Sequence, residues 1–468
     1  MKPFHAFIII LVFFTASCKK ETFTESGNAK LSTSADTLYF DTLFTSVGSI
    51  TRYFRIFNNN DQKLRLSNIQ LGGGINSAFK INVDGIAGPS VSNIELEAND
   101  SVYVFVTVKI DPSAANIPFV IQDSIRIEFN GNLKWVQLEA WGQNANFYRG
   151  RLVTGNETWT NVKPYVILDG LQIAQGATLT ITKGARIFLH ADAPFIVDGT
   201  LKVMGEKYDS TRVVFRGDRL DEQYRDFPAA WPGIYFRETS KDNELNFALI
   251  KNAYQGIVAF EPSVNGNPKV VLNESIIDNC YDAGIIAIRS DIRARNCLIS
   301  NCGKNLVLLN GGNYDFLHSS IVSISNNFIT HKEPVLLLAN FIQDGTTVLS
   351  NPLFAVFKNC IFWGENGTTE DEVVVNKQGN ASLDVNFQNC LWKIKKDPLL
   401  IPGVKASNMI INKNPAFDSV NIQKNYYNFR LKDGSPALDT GVTSSNIVDL
   451  DGNPRPLGRP DLGPYEKQ

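Results

Sequence analysis

Between about Ala35 and Ala145 apolar and polar residues alternate with period two. Leu38-Tyr-Phe40, Ile50-Thr-Arg-Tyr-Phe-Arg-Ile-Phe57, Val102-Tyr-Val-Phe-Val-Thr-Val108, Ser124-Ile-Arg-Ile-Glu-Phe129 and Trp135-Val-Gln-Leu-Glu-Ala140 each carry the pattern. Turn clusters such as Asn58-Asn-Asn-Asp61 and Leu71-Gly-Gly-Gly74 separate these runs. Strands this short at this spacing predict an antiparallel β-sandwich. From Asn146 the texture changes to short apolar strands divided by single glycines, as in Gly184-Ala-Arg-Ile-Phe-Leu189 and Phe195-Ile-Val-Asp-Gly-Thr-Leu-Lys-Val203. An imperfect repeat then emerges. Its rows are Asn246-Phe-Ala-Leu-Ile-Lys-Asn252, Asn273-Glu-Ser-Ile-Ile-Asp-Asn279, Arg295-Asn-Cys-Leu-Ile-Ser-Asn301, His318-Ser-Ser-Ile-Val-Ser, Lys358-Asn-Cys-Ile-Phe and Gln388-Asn-Cys-Leu-Trp. One column reads Ala248, Ser275, Cys297, Ser320, Cys360, Cys390, all small. The next reads Leu249, Ile276, Leu298, Ile321, Ile361, Leu391, all aliphatic. The steps of 27, 22, 23, 40 and 30 residues suit a β-solenoid, in which each coil buries its apolar face by stacking on the next.

The turns of such a coil need residues that tolerate the left-handed backbone region, which favours asparagine and glycine. Asn252, Asn279 and Asn301 fall in one column. After Cys18 every cysteine follows an asparagine: Cys280, Cys297, Cys302, Cys360 and Cys390. Five is an odd number, so they do not all pair within the chain. Cys280 and Cys302 follow matching turn asparagines. A disulfide between them and a pair of buried thiols are both open readings.

Composition narrows the function classes. With 43% hydrophobic residues the chain is a folded one. The 45 basic and 47 acidic residues give a net charge of −2, and no Lys/Arg run supplies a local patch, so a nucleic-acid partner is not expected. Lys2 precedes an apolar run, Phe7 to Phe14, too short for a bilayer span, which ends in Thr15-Ala-Ser-Cys18. Small residues immediately before a cysteine resemble the lipobox of bacterial lipoproteins. The resemblance implies that residues 1–17 are a signal peptide, that Cys18 is acylated, and that the chain meets a membrane through a lipid anchor. The alternative is an ordinary secretory signal. Lys19-Lys-Glu21 resembles the surface-export signal of some Gram-negative glycan degraders. Residues 18–34, polar and without period, read as a flexible tether.

Two further resemblances cover the rest. Phe54 to Asn59 and Glu97-Ala-Asn-Asp-Ser101 before a Val-rich strand look like Ig-like modules of the ASPM and Hydin type, which act as spacers or interaction platforms. Residues 165 to about 395 resemble right-handed parallel β-helix proteins of the pectate-lyase-like class, through Gly170-Leu-Gln-Ile173, Phe195 to Val203 and Trp231-Pro-Gly-Ile-Tyr-Phe236. Finally Ser435-Pro-Ala-Leu-Asp-Thr-Gly441, Asp449-Leu-Asp-Gly-Asn-Pro-Arg455 and Asp461-Leu-Gly-Pro-Tyr-Glu466 resemble the choice-of-anchor Q type ending of bacterial surface β-helix proteins. A Pro/Gly-rich segment of this kind can cover the unpaired strand edges at a solenoid's end.

Candidate chemistry is sparse. Lyases on this fold use Arg or Lys as a base, and Arg289, Arg293 and Arg295 form the densest basic group, the last two on one face. Hydrolases use carboxylate pairs, and Asp278, Asp282 and Asp291 lie near one another in sequence. Solvated charges are the plainer reading of both groups. His318 reads as a solvated position in a coil column. Asp449-Leu-Asp-Gly-Asn453 is half of a calcium loop without its closing carboxylate, so an Asx-stabilised turn is expected and no metal. The segment 218–231 interrupts the coil rhythm and crowds Arg219, Tyr224, Arg225, Phe227 and Trp231 together, groups that can stack on and hydrogen-bond to a sugar. It can equally pack over the coil with Trp231 buried.

The expected fold is all-β: signal peptide 1–17, tether 18–34, Ig-like β-sandwich 35–145, right-handed single-stranded parallel β-helix 146–400, and C-terminal cap 401–468. The expected function is a lipid-anchored outer-membrane protein, on the external or the periplasmic face, that binds extracellular polysaccharide or another surface polymer without catalysis or cofactor. A polysaccharide lyase or glycoside hydrolase acting on an acidic glycan is the rival reading. A structural or adhesive surface protein is the third.

Overall fold

A computed structural model describes residues 22–44, 51–109, 119–222, 224–445, 447–455 and 458–468. Cys18 and the expected signal peptide lie outside the described residues. The chain divides into two compact units between Asn144 and Ala145, and the elements of both are β-strands apart from one short 3-10 turn in each, Gly74–Asn76 and Pro398–Leu400.

In the first unit two five-stranded sheets contribute to one core. One sheet is ordered Leu31–Thr33, Arg52–Asn58, Ser101–Val108, Phe79–Val83, Ile86–Gly88. The other is ordered Thr37–Phe44, Asn132–Gln143, Phe119–Phe129, Leu64–Leu71, Ser90–Leu96. The period-two pattern sends Phe54, Ile56, Val104 and Val106 from the first sheet, and Ile125, Ile127 and Val136 from the second, into that core. The tether expectation is corrected from residue 22 onward. Leu31–Thr33 is an edge strand paired with Arg52–Asn58, and Phe23 bridges Lys63. Asn130 Nδ2 holds the carbonyls of Thr24 at 2.8 Å and Ser26 at 3.1 Å. A Ser/Thr-rich stretch shows no hydrophobic period, yet its backbone can still be held by side-chain amides.

The second unit is built on one parallel sheet of 26 strands, from Asn146–Val153 to Ile410–Ile411, in which successive coils pair in register. Coils therefore stack column on column, which fits a β-helix. One inward column runs Val203, Leu245, Leu272, Ala294, Phe316, Phe357, Phe387. Its rings stack at 5.4 Å for Phe316–Phe357 and 5.0 Å for Phe357–Phe387. The sharp corners lie in the left-handed region. Phe247, Glu274, Asn296, His318, Asn359, Asn389 and Asn408 form one corner column with φ between 45° and 56°. Asn252, Asn279 and Asn301 form another, with φ of 62°, 56° and 51°.

The repeat alignment needs one correction. Ser320, and not Ile321, pairs with Leu298 and Ile361, so the fourth row slips by one residue and Ser319 belongs to the small column. Along a strand a slip of one exchanges the two faces. Ile321 points into the core with Ile299, and Ser320 points outward with Leu298. All five described cysteines are free and buried. Burial pushes the Cys297 thiol up to about 12 and those of Cys302 and Cys360 well above the usual range. They are packing groups.

The boundary at 400 is also corrected. Val404–Ser407 and Ile410–Ile411 continue the parallel sheet. A hairpin, Phe417–Asn421 with Tyr426–Leu431, follows. Residues beyond it do not cap the coil's end. They run back along its flank, touching Asn389 through Thr440 O, Asn359 through Val442, Asn296 through Val448 O, and Arg212 through Leu450 O. This strap seals a second core, in which outward-facing Leu298, Ile361 and Leu391 meet Phe429, Leu450, Leu462 and Tyr465.

Candidate functional site

The strap carries a cluster of ionisable groups that burial perturbs: Asp449, Arg455, Asp461, Tyr465 and Glu466. Arg455 is almost wholly enclosed. Its Nη1 donates to Glu466 Oε2 at 2.6 Å, and its Nη2 to Asn296 Oδ1 at 3.1 Å and to the carbonyls of Gly463 and Pro464 at 3.0 Å. Asp449 accepts from the backbone N–H of Asp451, Asn453 and Glu466, and Asp461 from those of Asp439 and Lys467. The recurring Asp, Arg and Glu of the C-terminal motifs thus form a folding knot. The Asp449 turn is the Asx type, because its carboxylate is spent on backbone donors. Burial raises the carboxyls of Asp449, Asp461 and Glu466 and lowers Arg455, which is the cost the hydrogen bonds offset.

His318 is the odd member of its column and is not solvated: it has no exposed surface. Its Nε2 accepts from Asn359 Nδ2 at 2.9 Å and lies 3.2 Å from Ser444 Oγ. Burial, then the Arg455 charge, depresses it to about 2, so the ring is neutral. A second enclosed group escaped the sequence reading. His331 Nε2 lies 3.0 Å from both Glu372 oxygens, and Lys393 Nζ is 3.8 Å from the same carboxylate. A side chain at Gly364 would strike that carboxylate at 2.1 Å, so glycine there makes room for it. Neither histidine reaches a surface where a substrate could sit.

The accessible chemistry lies on the outer face of the sheet whose inner face carries Phe316, Phe357 and Phe387. Successive strands place Asp291, Asn313, Phe354 and Asp384 in one outward column and Arg293, Asp315, Val356, Asn386 and Lys405 in the next. Together they line an open groove of about 480 Å³. Phe354 is 47% and Val356 40% exposed, an apolar pad on its floor. Ion pairs flank the pad: Lys405 Nζ to Asp384 Oδ1 at 3.0 Å, and Arg295 Nη2 to Asp315 Oδ2 at 2.8 Å with Arg293 Nε at 3.8 Å. Asn313 donates from its backbone and Nδ2 to Asp291 Oδ1 at 3.1 and 2.8 Å. An apolar floor between donors and acceptors suits a ring with one C–H face and hydroxyl edges.

The structure separates the candidate bases. Arg293 borders the groove and Arg295 shares its Asp315 partner, whereas Arg289 sits on a left-handed corner (φ 50°) and pairs with Glu261 at 2.5 Å. The candidate carboxylates separate too. Asp278 accepts from Ser300 Oγ at 2.7 Å, Asp282 from Gln255 Nε2 at 2.7 Å, and only Asp291 lines the groove.

The 218–231 segment packs over the Asn252–Asn279 corner. The Arg225 carbonyl accepts from Arg216 Nη2 and Asn252 Nδ2, both at 2.6 Å, and the Asp226 carbonyl from Asn279 Nδ2 at 2.8 Å. Trp231 is fully buried with Nε1 on the Lys251 carbonyl at 2.9 Å, which removes it from the ligand candidates. Arg225 points to Asp226. Arg219 pairs with Asp221 and lies 4.2 Å over the Tyr224 ring. Tyr224 contacts Phe227 at 5.2 Å, and Phe227 in turn contacts Phe328 at 5.1 Å.

No family model matches the chain, and no curated protein matches it. Solved structures similar to parts of it include a family 123 glycoside hydrolase from Clostridium perfringens, at 13% identity over 27% of this chain and 26% of that one, TM-score 0.18. The PapD-like domain 7 of human CEP192 is 12% identical over 27% of this chain and 92% of that one, TM-score 0.18. The periplasmic chaperone SfaE is 7% identical over 25% of this chain and 58% of that one, TM-score 0.16. The chain spans about a quarter of the length of the glycoside hydrolase structure that it matches. Likenesses this slight carry no argument about function.

Proposed function

We propose that this chain is a lipid-anchored envelope protein in which an Ig-like sandwich carries a right-handed β-helix that binds extracellular polysaccharide without turning it over. The observation that carries the binding reading is the open groove with its Phe354–Val356 pad between ion-paired sides. A polymer can enter such a trough along its length. The candidate bases support binding over catalysis: Arg293 and Arg295 share one carboxylate and Arg289 is held elsewhere. A base needs a geometry in which it reaches a substrate proton unencumbered.

Affinity electrophoresis through gels containing single neutral or acidic polysaccharides tests the groove. Retardation by at least one polymer is expected, and the Phe354→Ala/Asn386→Ala variant should lose about tenfold in affinity, the scale of one stacked ring with its hydrogen bonds. Equal retardation of variant and parent would remove the groove from the reading. Release of reducing or unsaturated ends by the parent protein would replace binding with catalysis.

The anchor rests on the small residues before Cys18. In a bacterial host fed a labelled fatty acid, Cys18→Ala should yield a protein without label that is lost from the membrane fraction. A variant that still carries the label has its lipid elsewhere.

A further inference from the structure

Away from the groove, three successive coils repeat one corner: Asn252-Ala253-Tyr254, Asn279-Cys280-Tyr281, Asn301-Cys302-Gly303. Tyr254 and Tyr281 stack, with centroids 5.9 Å apart and planes 27° from parallel. They are 45% and 54% exposed. The third rung carries no ring, and none fits: a side chain at Gly303 would begin 2.2 Å from the Tyr281 carbonyl oxygen. The tyrosine ladder therefore ends in a notch of about 350 Å³. Phe328 closes its far side, backed by Phe227 of the 218–231 segment.

The rim of the notch is mixed. Asp282 receives Gln255 Nε2 at 2.7 Å and Lys304 Nζ at 3.1 Å, and Thr330, Lys332 and Glu333 border the opening. Acceptors and donors alternate around an aromatic wall. A hydroxyl gives one hydrogen bond and takes others, so such a rim matches a polyol. A ring with an apolar C–H face covers the tyrosine where a third ring would have stacked.

We infer that the notch above Gly303 is a second glycan-binding site, which receives one pyranose ring on the face of Tyr281. Its ligand class rests on the polysaccharide reading above, but its residues are none of those in the groove. The Phe227–Phe328 contact gives the 218–231 aromatics a positioning role behind the notch wall in place of direct contact.

The test uses the whole mature chain labelled with fluorotyrosine, with the fluorine resonances of Tyr254 and Tyr281 assigned through the two Tyr→Phe variants. The probes are cellohexaose, xylohexaose, mannohexaose, chitohexaose and hexagalacturonate. At least one should move both resonances, in the parent and equally in Phe354→Ala. Calorimetric affinity for that probe should fall about tenfold in Tyr281→Ala and stay close to parental in Tyr281→Phe, since the ring and not the hydroxyl does the stacking. Resonances unmoved by all five probes overturn the inference. So does unaltered affinity in Tyr281→Ala, and so does a response to tryptophan-containing peptides alone, which makes the notch a peptide site. Failure of the groove reading looks different: in affinity electrophoresis Phe354→Ala/Asn386→Ala is retarded as the parent is, while the tyrosine resonances still respond and Tyr281→Ala still loses affinity.

Discussion

Replacing Arg455 by alanine should cost about 3–5 kcal/mol of stability in the second unit, the range for breaking a buried ion pair by removing one partner. The guanidinium is enclosed, with Glu466, Asn296 and three carbonyls as its acceptors. Its loss strands the Glu466 carboxylate in a site where burial already works against its charge. It also unties the strap from the Asn296 corner. Urea unfolding of the variant should show the shifted midpoint, and limited proteolysis should cut between 432 and 468 before the coil opens. The paired replacement Arg455→Met/Glu466→Leu should recover much of the loss, because it removes the stranded charge together with its partner. An unchanged midpoint with an uncut strap would mean the knot is not what fastens this segment.

Acidification should weaken the protein through His318, and His318→Asn should abolish that part of the response. The ring's folded value of about 2 lies far below the unfolded one near 6.5. Between these limits the unfolded chain binds a proton that the folded chain does not. Stability therefore rises with pH across the window and is flat above about 6.5, by about 1.4 kcal/mol per pH unit at full difference. The raised carboxyls of Asp449, Asp461 and Glu466 act in the opposite sense. The difference between the parent and His318→Asn curves below about pH 6.5 isolates the histidine, because the other titrating groups are common to both proteins. Asparagine occupies the same column at Asn296, Asn359 and Asn389 and takes the left-handed turn there. The variant should therefore fold normally and show a flatter stability curve over this range. Parallel curves for parent and variant would mean that His318 takes up its proton in place.

The columns of this coil were legible because parallel stacking repeats the same demand at each level. Small residues follow the left-handed corner, and asparagine occupies it. The slip at His318 arose where the corner residue was not asparagine and a serine doublet followed, so either serine could fill the small column. The strap was visible as motifs but not as a strap. Leu298, Ile361 and Leu391 looked like a core column, and they are buried, but from outside and by residues about 40–170 positions later in sequence. Two adjacent apolar columns are the mark of a strand covered on both faces, and that signal was available. The groove was harder. Leu353-Phe-Ala-Val-Phe-Lys358 is apolar on both faces, so nothing in its pattern separates exposed Phe354 and Val356 from buried Phe357. Arg293 and Arg295 were placed together by period two, whereas Arg289 turned away because a corner breaks the strand between Ile288 and Ser290. Ion-pair partners such as Asp315 and Glu261 come from neighbouring coils, and a single row of letters does not rank them.

The strap follows the coils that it covers. Arg212 and Leu450, joined by a 2.6 Å hydrogen bond, are 238 residues apart. Until residues 432–468 emerge, the aliphatic stripe from Leu298 to Leu391 has only the hairpin's Phe417, Phe429 and Leu431 as cover, however well the coils beneath have stacked. A chain cut short after the hairpin would carry a greasy seam along its side, a surface that holding chaperones and proteases recognise. The C-terminal motifs are thus what closes the seam, and a copy that lacks them leaves apolar surface of the coil open to water.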